Sequence, residues 1–388
     1  MGADAGAPFQ YVPGFSLAGG GGYEFTNGNY TTGAASPAIV NEKLTWFKSI
    51  IQDVGIDVGL WDNKIDLTFD IYQRDREGLL ARRNVSLPNT FGGTLPDENL
   101  NSDRVRGIEF SAGYAGQIRD FKYGISGNFN FARTMNRYVE RGDFLSSMDR
   151  WRGGAANRWN DVIWAYQLEG QFQSKDEVIY APIQNGDLGN TRELPGDFKY
   201  KDVDGNGVID GNDAMPLFFG GDPKMYYGVT LNASYKGFDF TALFQGSGKY
   251  SVRFREIYAE VFAFRGNTPE YFYDRWKLSD DNQWTPGTWP ASRFNYNVGA
   301  MYAESSAWRK DASYLRFKSA QLGYTVKLGL FTKIGIESVR IYGNAHNIFT
   351  WADPFVKPFD PEKIEGLFGA GLTYPVTRSY NFGINVTF

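Results

Sequence analysis

Residues 227–244 run Tyr227-Gly228-Val229-Thr230-Leu231-Asn232-Ala233-Ser234-Tyr235-Lys236-Gly237-Phe238-Asp239-Phe240-Thr241-Ala242-Leu243-Phe244. Apolar side chains take alternate positions from Tyr227 to Tyr235, with Gly228, Thr230, Asn232 and Ser234 between them. A period of two belongs to a strand, whose successive side chains leave on opposite faces. Lys236-Gly237 then interrupts the pattern, and it resumes with Phe238, Phe240, Ala242 and Phe244. Two such runs joined by a two-residue turn predict a β-hairpin with one apolar and one polar face.

The pattern recurs outward in both directions. Val54, Ile56, Val58 and Leu60 alternate with Gly55, Asp57 and Gly59; a turn at Trp61–Lys64 leads to Ile65, Leu67, Phe69 and Ile71. Ile108, Phe110, Ala112 and Tyr114 are followed by a turn near residues 116–120 and then Phe121, Tyr123, Ile125, Phe129 and Phe131. Further strands are predicted near residues 313–325 and 337–346, and the chain ends on Tyr380, Phe382, Ile384, Val386 and Phe388. These runs are about 9–12 residues long, whereas soluble strands are mostly about 5–6. A tilted strand crossing a bilayer needs about 9–11. Short turns alternate with long stretches at 74–103, 133–160, 247–312 and 347–377. Outer-membrane barrels combine short periplasmic turns with long outer loops, while structureless loops of that length count against a compact soluble domain. The predicted fold class is therefore all-β, a transmembrane antiparallel β-barrel with long extracellular loops. The segment Trp164–Phe172 needs a partner strand, best found around Phe198–Lys201, either as a barrel hairpin or within an outer loop. Residues 18–33, rich in glycine, read as loop.

Composition narrows the function. The 388 residues carry 40 Lys+Arg against 44 Asp+Glu, a net charge of −4, so no broad basic footprint for nucleic acid exists. Cysteine is absent and His346 is the single histidine, which excludes disulfides, Cys-based or multi-His zinc sites, iron–sulfur clusters and a cysteine nucleophile. No apolar run is long enough for a transmembrane helix, which leaves a barrel open because alternating strands average to polar hydropathy. Ten Trp, 24 Tyr and 31 Phe suit a protein with aromatic belts at a membrane interface. The start, Met1 followed by Gly-Ala-Asp-Ala-Gly-Ala-Pro, shows no secretory signal and reads as the abrupt beginning of a piece of something longer. A soluble or surface β-protein binding carbohydrate through aromatic platforms is the alternative. An enzyme such as a glycosidase would need a placed carboxylate pair, and no motif singles one out.

Several stretches carry a family resemblance. They are Pro195-Gly196-Asp197-Phe198-Lys199-Tyr200-Lys201-Asp202-Val203-Asp204-Gly205-Asn206-Gly207-Val208-Ile209-Asp210, Asp222-Pro223-Lys224, the hairpin 227–239, Ala312-Ser313-Tyr314-Leu315-Arg316-Phe317-Lys318, Leu322-Gly323-Tyr324, Ala345-His346-Asn347-Ile348-Phe349-Thr350, Asp360-Pro361-Glu362 and Tyr374-Pro375-Val376-Thr377-Arg378-Ser379-Tyr380-Asn381-Phe382-Gly383. Together, and in this order, the sequence resembles the SusC/RagA family of TonB-dependent outer-membrane transporters of Bacteroidetes. The resemblance covers the C-terminal barrel portion of that architecture. It implies a signal peptide, TonB box, plug and first barrel strands ahead of this region, and about half of a 22-stranded plugged barrel within residues 1–388. It further implies an outer-membrane location, a SusD-like surface lipoprotein as partner, TonB–ExbB–ExbD as power source through parts not in this chain, and glycan oligosaccharides or peptides as cargo. No bond is made or broken, so no catalytic residue is expected.

Two outer-loop regions stand out. Residues 173–225 contain Asp202-Val203-Asp204-Gly205-Asn206-Gly207-Val208-Ile209-Asp210-Gly211-Asn212-Asp213. This fits the calcium-loop template: oxygen side chains at Asp202, Asp204 and Asn206, glycine sixth, the Val208 carbonyl seventh, Asp210 ninth and Asp213 last. Asp213 in place of Glu shortens the reach for bidentate binding, and helices do not flank the loop. Structural Ca²⁺ is the expectation; a turn held by Asx hydrogen bonds is the competing one. Residues 247–312 carry Trp276, Trp284, Trp289 and Trp308, read as an aromatic core folding a long loop over the barrel mouth, with partner contact or sugar stacking next. Trp151, Trp159 and Trp164 are open to the same alternatives. Arg82-Arg83 and Asp280-Asp281 read as solvated loop faces, and His346 as structural.

Overall fold

The computed structural model describes residues 11–12, 14, 22–26, 28–33, 39–62, 64–84, 95–186, 188–255, 258–259, 261–262, 266–292, 303–327, 335–362 and 376–388. Tyr374-Pro375 and most of the chain's first 21 residues lie outside them. Nine strands form one ladder: β1 (Lys48–Leu60), β2 (Ile65–Arg82), β3 (Asp97–Ile118), β4 (Phe121–Tyr138), β5 (Met225–Tyr235), β6 (Phe238–Gly248), β7 (Tyr314–Lys327), β8 (Ser338–Ala352) and β9 (Ser379–Thr387). Their order in the sheet is their order in the chain, a meander without crossovers, and Arg158–Trp159 adds a short pairing to β4. The two described helices that are α-helical, Ser147–Gly153 and Lys175–Tyr180, are short. Packing divides the chain into two compact units, Met1–Val54 with Ile71–Gly107 and Ala132–Asn160, and Gly55–Asp70 with Ile108–Phe131 and Asp161–Phe388.

In the second unit, register sorts the residues into rows. Phe121 pairs with Tyr235, Tyr235 with Phe238, Phe238 with Tyr324, Tyr324 with Ile341 and Ile341 with Ile384. One step along lies the opposite face: Lys122 with Ser234, Ser234 with Asp239, Asp239 with Gly323, Gly323 with Tyr342 and Tyr342 with Gly383. A slip of one residue in any strand would mix the two rows, so the faces fix the register. The β5–β6 turn uses Lys236 (φ 44°) and Gly237 (φ 90°), two left-handed residues that make a tight turn compatible with strand twist. On the polar face Arg340 donates to Asp239 (2.9 Å) across the intervening strand β7. Gly323 makes that possible, because a Cβ there would sit 2.5 Å from the Arg340 guanidinium.

The apolar face stays open. Phe382 is 88% exposed, Ile384 66% and Leu322 56%, while the cluster of buried apolar residues lies elsewhere, in the loops. Each such side chain forfeits roughly 1.5–3 kcal/mol when left in water, and a continuous apolar face of this extent marks contact with a membrane or a partner. Aromatics stand towards both ends of this face, with Phe121, Tyr235, Phe238 and Tyr324 near one and Phe244, Phe317, Phe349 and Trp351 near the other. Two aromatic girdles flanking an apolar band are what a barrel wall presents to lipid.

The first unit departs from the expected lengths. β2 has 18 residues and β3 has 22, so the stretch read as a loop from 74 to 103 is largely strand. Alternation stops after Ile71, and charges then occupy both faces. Arg104 pairs with Asp75 (2.5 Å), Arg76 donates to Asp103 (2.8 Å), Arg83 pairs with Glu98 (2.8 Å) and Arg106 donates to Gln73 (2.9 Å). A ribbon polar on both faces needs no apolar alternation, only cross-strand polar pairs. The glycine-rich start is also more ordered than expected: Gly22–Thr26 pairs with Asn29–Thr32. The Trp164–Phe172 question resolves against a barrel hairpin. Leu168–Gln171 pairs with Phe198–Tyr200, and Val162–Ala165 with Met215–Phe219, in two-stranded ladders separate from the main sheet.

Phe382→Arg would place a charge in the most exposed position of the apolar face. Replacing Phe382 is expected to cost about 2–4 kcal/mol if it sits near the bilayer midplane. Equilibrium urea unfolding of the full-length protein in phospholipid vesicles measures this, and an unchanged midpoint would mean that this face does not meet lipid.

Candidate functional site

The loops of the second unit build their own body. Phe198, Tyr200, Ile209, Tyr250, Val252, Phe254, Phe272, Trp289, Trp308, Tyr314 and Val356 share one buried cluster. Trp289 stacks on Trp308 (5.1 Å between centroids, 21°), and Phe198 meets Trp308 edge-on. Trp308 is 1% exposed, Trp276 3% and Trp289 9%, so three of the four tryptophans in 247–312 are committed to packing rather than to an open platform. Trp276 lies against Gly196, whose φ of +92° suits glycine and whose absent side chain would meet the indole ring at 2.3 Å. Burial raises the Tyr200 phenol well above its ordinary pKa, and its hydroxyl meets Ser305 Oγ at 3.3 Å. Lys310, half enclosed by the same body, has its ammonium pushed down by burial, with Asp353 acting the other way.

A buried ion cluster ties this region to the polar side of β7. Arg316, 3% exposed, is bonded to Asp360, to Glu362 (2.6 Å) and, through Nε, to Thr350 Oγ1 (2.9 Å). Lys318 adds a second bond to Glu362 (2.7 Å), and the Asp360 carboxylate accepts from the Val376 and Glu362 amides (2.8 and 3.1 Å). Two cations face two carboxylates, so the cluster is neutral and saturated. The four charged residues fall in two of the family-like stretches, yet nothing in their spacing announced that they would meet.

The calcium-like loop keeps part of its predicted set together. Ligand atoms of Asp202, Asp204 and Asp213 lie within 4.8 Å of one another. Asp213 is fully buried and accepts from the Val203 and Asp210 amides (2.7 and 2.8 Å). Asp202 accepts from Gly205 and Gly207 (2.7 and 2.8 Å). Asn206 accepts from the Val208 amide, and Asp210 turns to the Asn212 amide. Every one of these oxygens that accepts a single N–H retains a lone pair. Three carboxylates this close repel one another, and an oxygen-only set of this kind suits a hard divalent cation. Ile183 clamps the loop from outside, with bonds to Gly207 O and from Ile209 N (2.8 Å each).

His346 sits in β8 opposite Ser319 and Ser379. Arg82 and Arg83 pair with Asp97 and Glu98, and Asp280 and Asp281 are exposed in a turn. The Arg133 guanidinium lies over the Trp159 ring at 4.4 Å.

The family model described as "TonB dependent receptor-like, beta-barrel" matches residues 5–212, more than half of the chain. The chain belongs to this family. TonB-dependent receptor barrels are outer-membrane proteins, which accounts for the open apolar face of the ladder. TonB-dependent receptor P3 of Formosa agariphila is 26% identical over 98% of the chain, and SusC of Bacteroides thetaiotaomicron is 23% identical over 94%. The solved RagAB peptide importer in its open-open state superposes on 98% of the chain with a TM-score of 0.69 at 19% identity, and its closed-closed state with 0.65 at 20%. The SusC/RagA character read from the residues is thereby borne out. The chain spans 38% of the P3 relative, 34% of SusC and 38% of the open-open RagAB chain.

Arg316→Ala is expected to cost about 3–5 kcal/mol by leaving buried carboxylates unpaired. Limited proteolysis of the full-length protein should then cut within residues 353–362, a segment expected to resist cleavage when the cluster is intact.

Proposed function

We propose that this chain supplies barrel wall and outer loops to a TonB-dependent importer of oligomeric nutrients, glycan oligosaccharides or peptides. The observation that carries this is the segregation of faces: apolar rows on one side of the ladder, and on the other a polar face to which a folded loop body is bolted by Arg316, Asp360 and Glu362. A wall with a dry outside and a wet inside serves passage, not chemistry, and Arg316, Asp360 and Glu362 hold loops rather than a reacting bond. The kinship with SusC and RagAB supports a SusD-like lipoprotein lid and energy from TonB–ExbB–ExbD. Deleting tonB or the gene for this protein should abolish growth on the oligomer while leaving growth on its monomer intact; equal growth of both strains on the oligomer would end this reading.

The Asp202–Asp213 loop is proposed to hold Ca²⁺ through Asp202, Asp204 and Asp213, with Asn206, the Val208 carbonyl and Asp210 completing the shell. The cation would neutralise converging carboxylates and stiffen the loop; it has no part in a reaction. Saturating Ca²⁺ at a hundredfold over Kd stabilises the folded form by about 2.7 kcal/mol. Thermal melting of the full-length protein should shift upward on replacing EDTA with Ca²⁺, and Asp204→Ala should remove the shift. Identical melting in EDTA and Ca²⁺ would leave only an Asx-bonded turn.

A further inference from the structure

One cavity of the second unit has no role in the assignments above. It measures about 560 Å³ and is lined by Asp222, Tyr226, Gln245, Ser247, Ser251 and Glu362, with the Tyr250 and Tyr314 rings beside them. Tyr226, Gln245 and Ser247 belong to the polar face of β5 and β6, so the cavity opens on the side of the ladder away from the apolar rows. Its volume lies within the usual range of small-ligand pockets, about 300–1,000 Å³.

We propose that this cavity is a subsite for a neutral, hydroxyl-rich ligand, a sugar unit of an uncharged oligosaccharide. The proposal rests on the import reading and narrows its cargo. Four observations carry it. First, no Lys or Arg is among the described residues that line the cavity. Second, the Glu362 carboxylate is already engaged by Arg316 and Lys318, so it offers no net charge to a ligand. Asp222, acceptor-only, would repel a sulfated or uronate sugar but can accept from hydroxyls. Third, Gln245 and Ser247 combine donors and acceptors, and the Tyr226 ring, 48% exposed, presents a flat face of the kind that stacks on a sugar ring. Fourth, a peptide is poorly served. Its main chain is most often bound by adding a strand to an open sheet edge, whereas β5 and β6 are paired on both sides. Its terminal carboxylate would also find no cation among the described lining residues.

The test incubates the purified full-length protein with three pools. These are neutral oligosaccharides from partial hydrolysis of starch, xylan, mannan and levan; sulfated and uronate oligosaccharides; and a tryptic peptide digest. Native mass spectrometry reads what is retained. Retention of neutral oligosaccharides, weakened about tenfold by Tyr226→Ala and by Gln245→Ala but preserved in Tyr226→Phe, is the expected result. Unchanged melting of the variants shows that the loss is local. Retention of peptides or anionic sugars instead, retention unaffected by both alanine variants, or no retention from any pool would overturn the proposal. The tonB-dependent growth test is independent of these readouts, so a failed subsite and a failed transport assignment are told apart.

Discussion

The structure depends on one constraint: in hydrocarbon, a backbone N–H or C=O has no water to turn to. A chain that crosses lipid as strands must satisfy those groups through its neighbours, residue by residue. The unbroken pairing of β5 with β4 and β6, and of β8 with β9, does this. Once pairing is obligatory, side chains must alternate between lipid and the polar side. The rows through Phe121, Tyr235, Phe238, Tyr324, Ile341 and Ile384 are the outcome. The short turns follow as well, because strands that pair in chain order need little connection on one side.

The wall has no core of its own in the soluble sense. Its apolar face is completed by lipid, and its polar face carries pairs such as Arg340–Asp239 over Gly323. The buried apolar cluster instead lies in loops that would otherwise be long and structureless. The described parts of the long stretch between β6 and β7 fold around Trp289, Trp308 and Phe254.

What could be read from the sequence follows from where a local signal exists. The 227–244 hairpin was legible because period two is written in adjacent residues, and the loop tryptophans were conspicuous by composition. The extension of β2 and β3 beyond Ile71 was not legible. Both of its faces are polar, so alternation vanishes, and its order comes from partners such as Arg76 and Asp103, 27 residues apart. The Gly22–Thr26 pairing with Asn29–Thr32 was hidden by a run of glycines that reads as loop. Of the calcium-like set, spacing brought Asp202, Asp204 and Asp213 together, because a tight turn is a local object. The Arg316 cluster joins residues 44 and 46 positions apart, a distance over which no periodicity speaks.

The separation of wall from loop body has an evolutionary consequence. Substitutions inside the aromatic cluster away from Tyr314, which pairs with Ser247 and Ala352 in the ladder, leave the register of the strands untouched. Selection can therefore reshape the surface that meets new molecules while the strand pairing that folds in the membrane stays constant. The fixed points of such remodelling would be few, and Arg316 with its two carboxylates is where a transplanted loop body would have to reconnect.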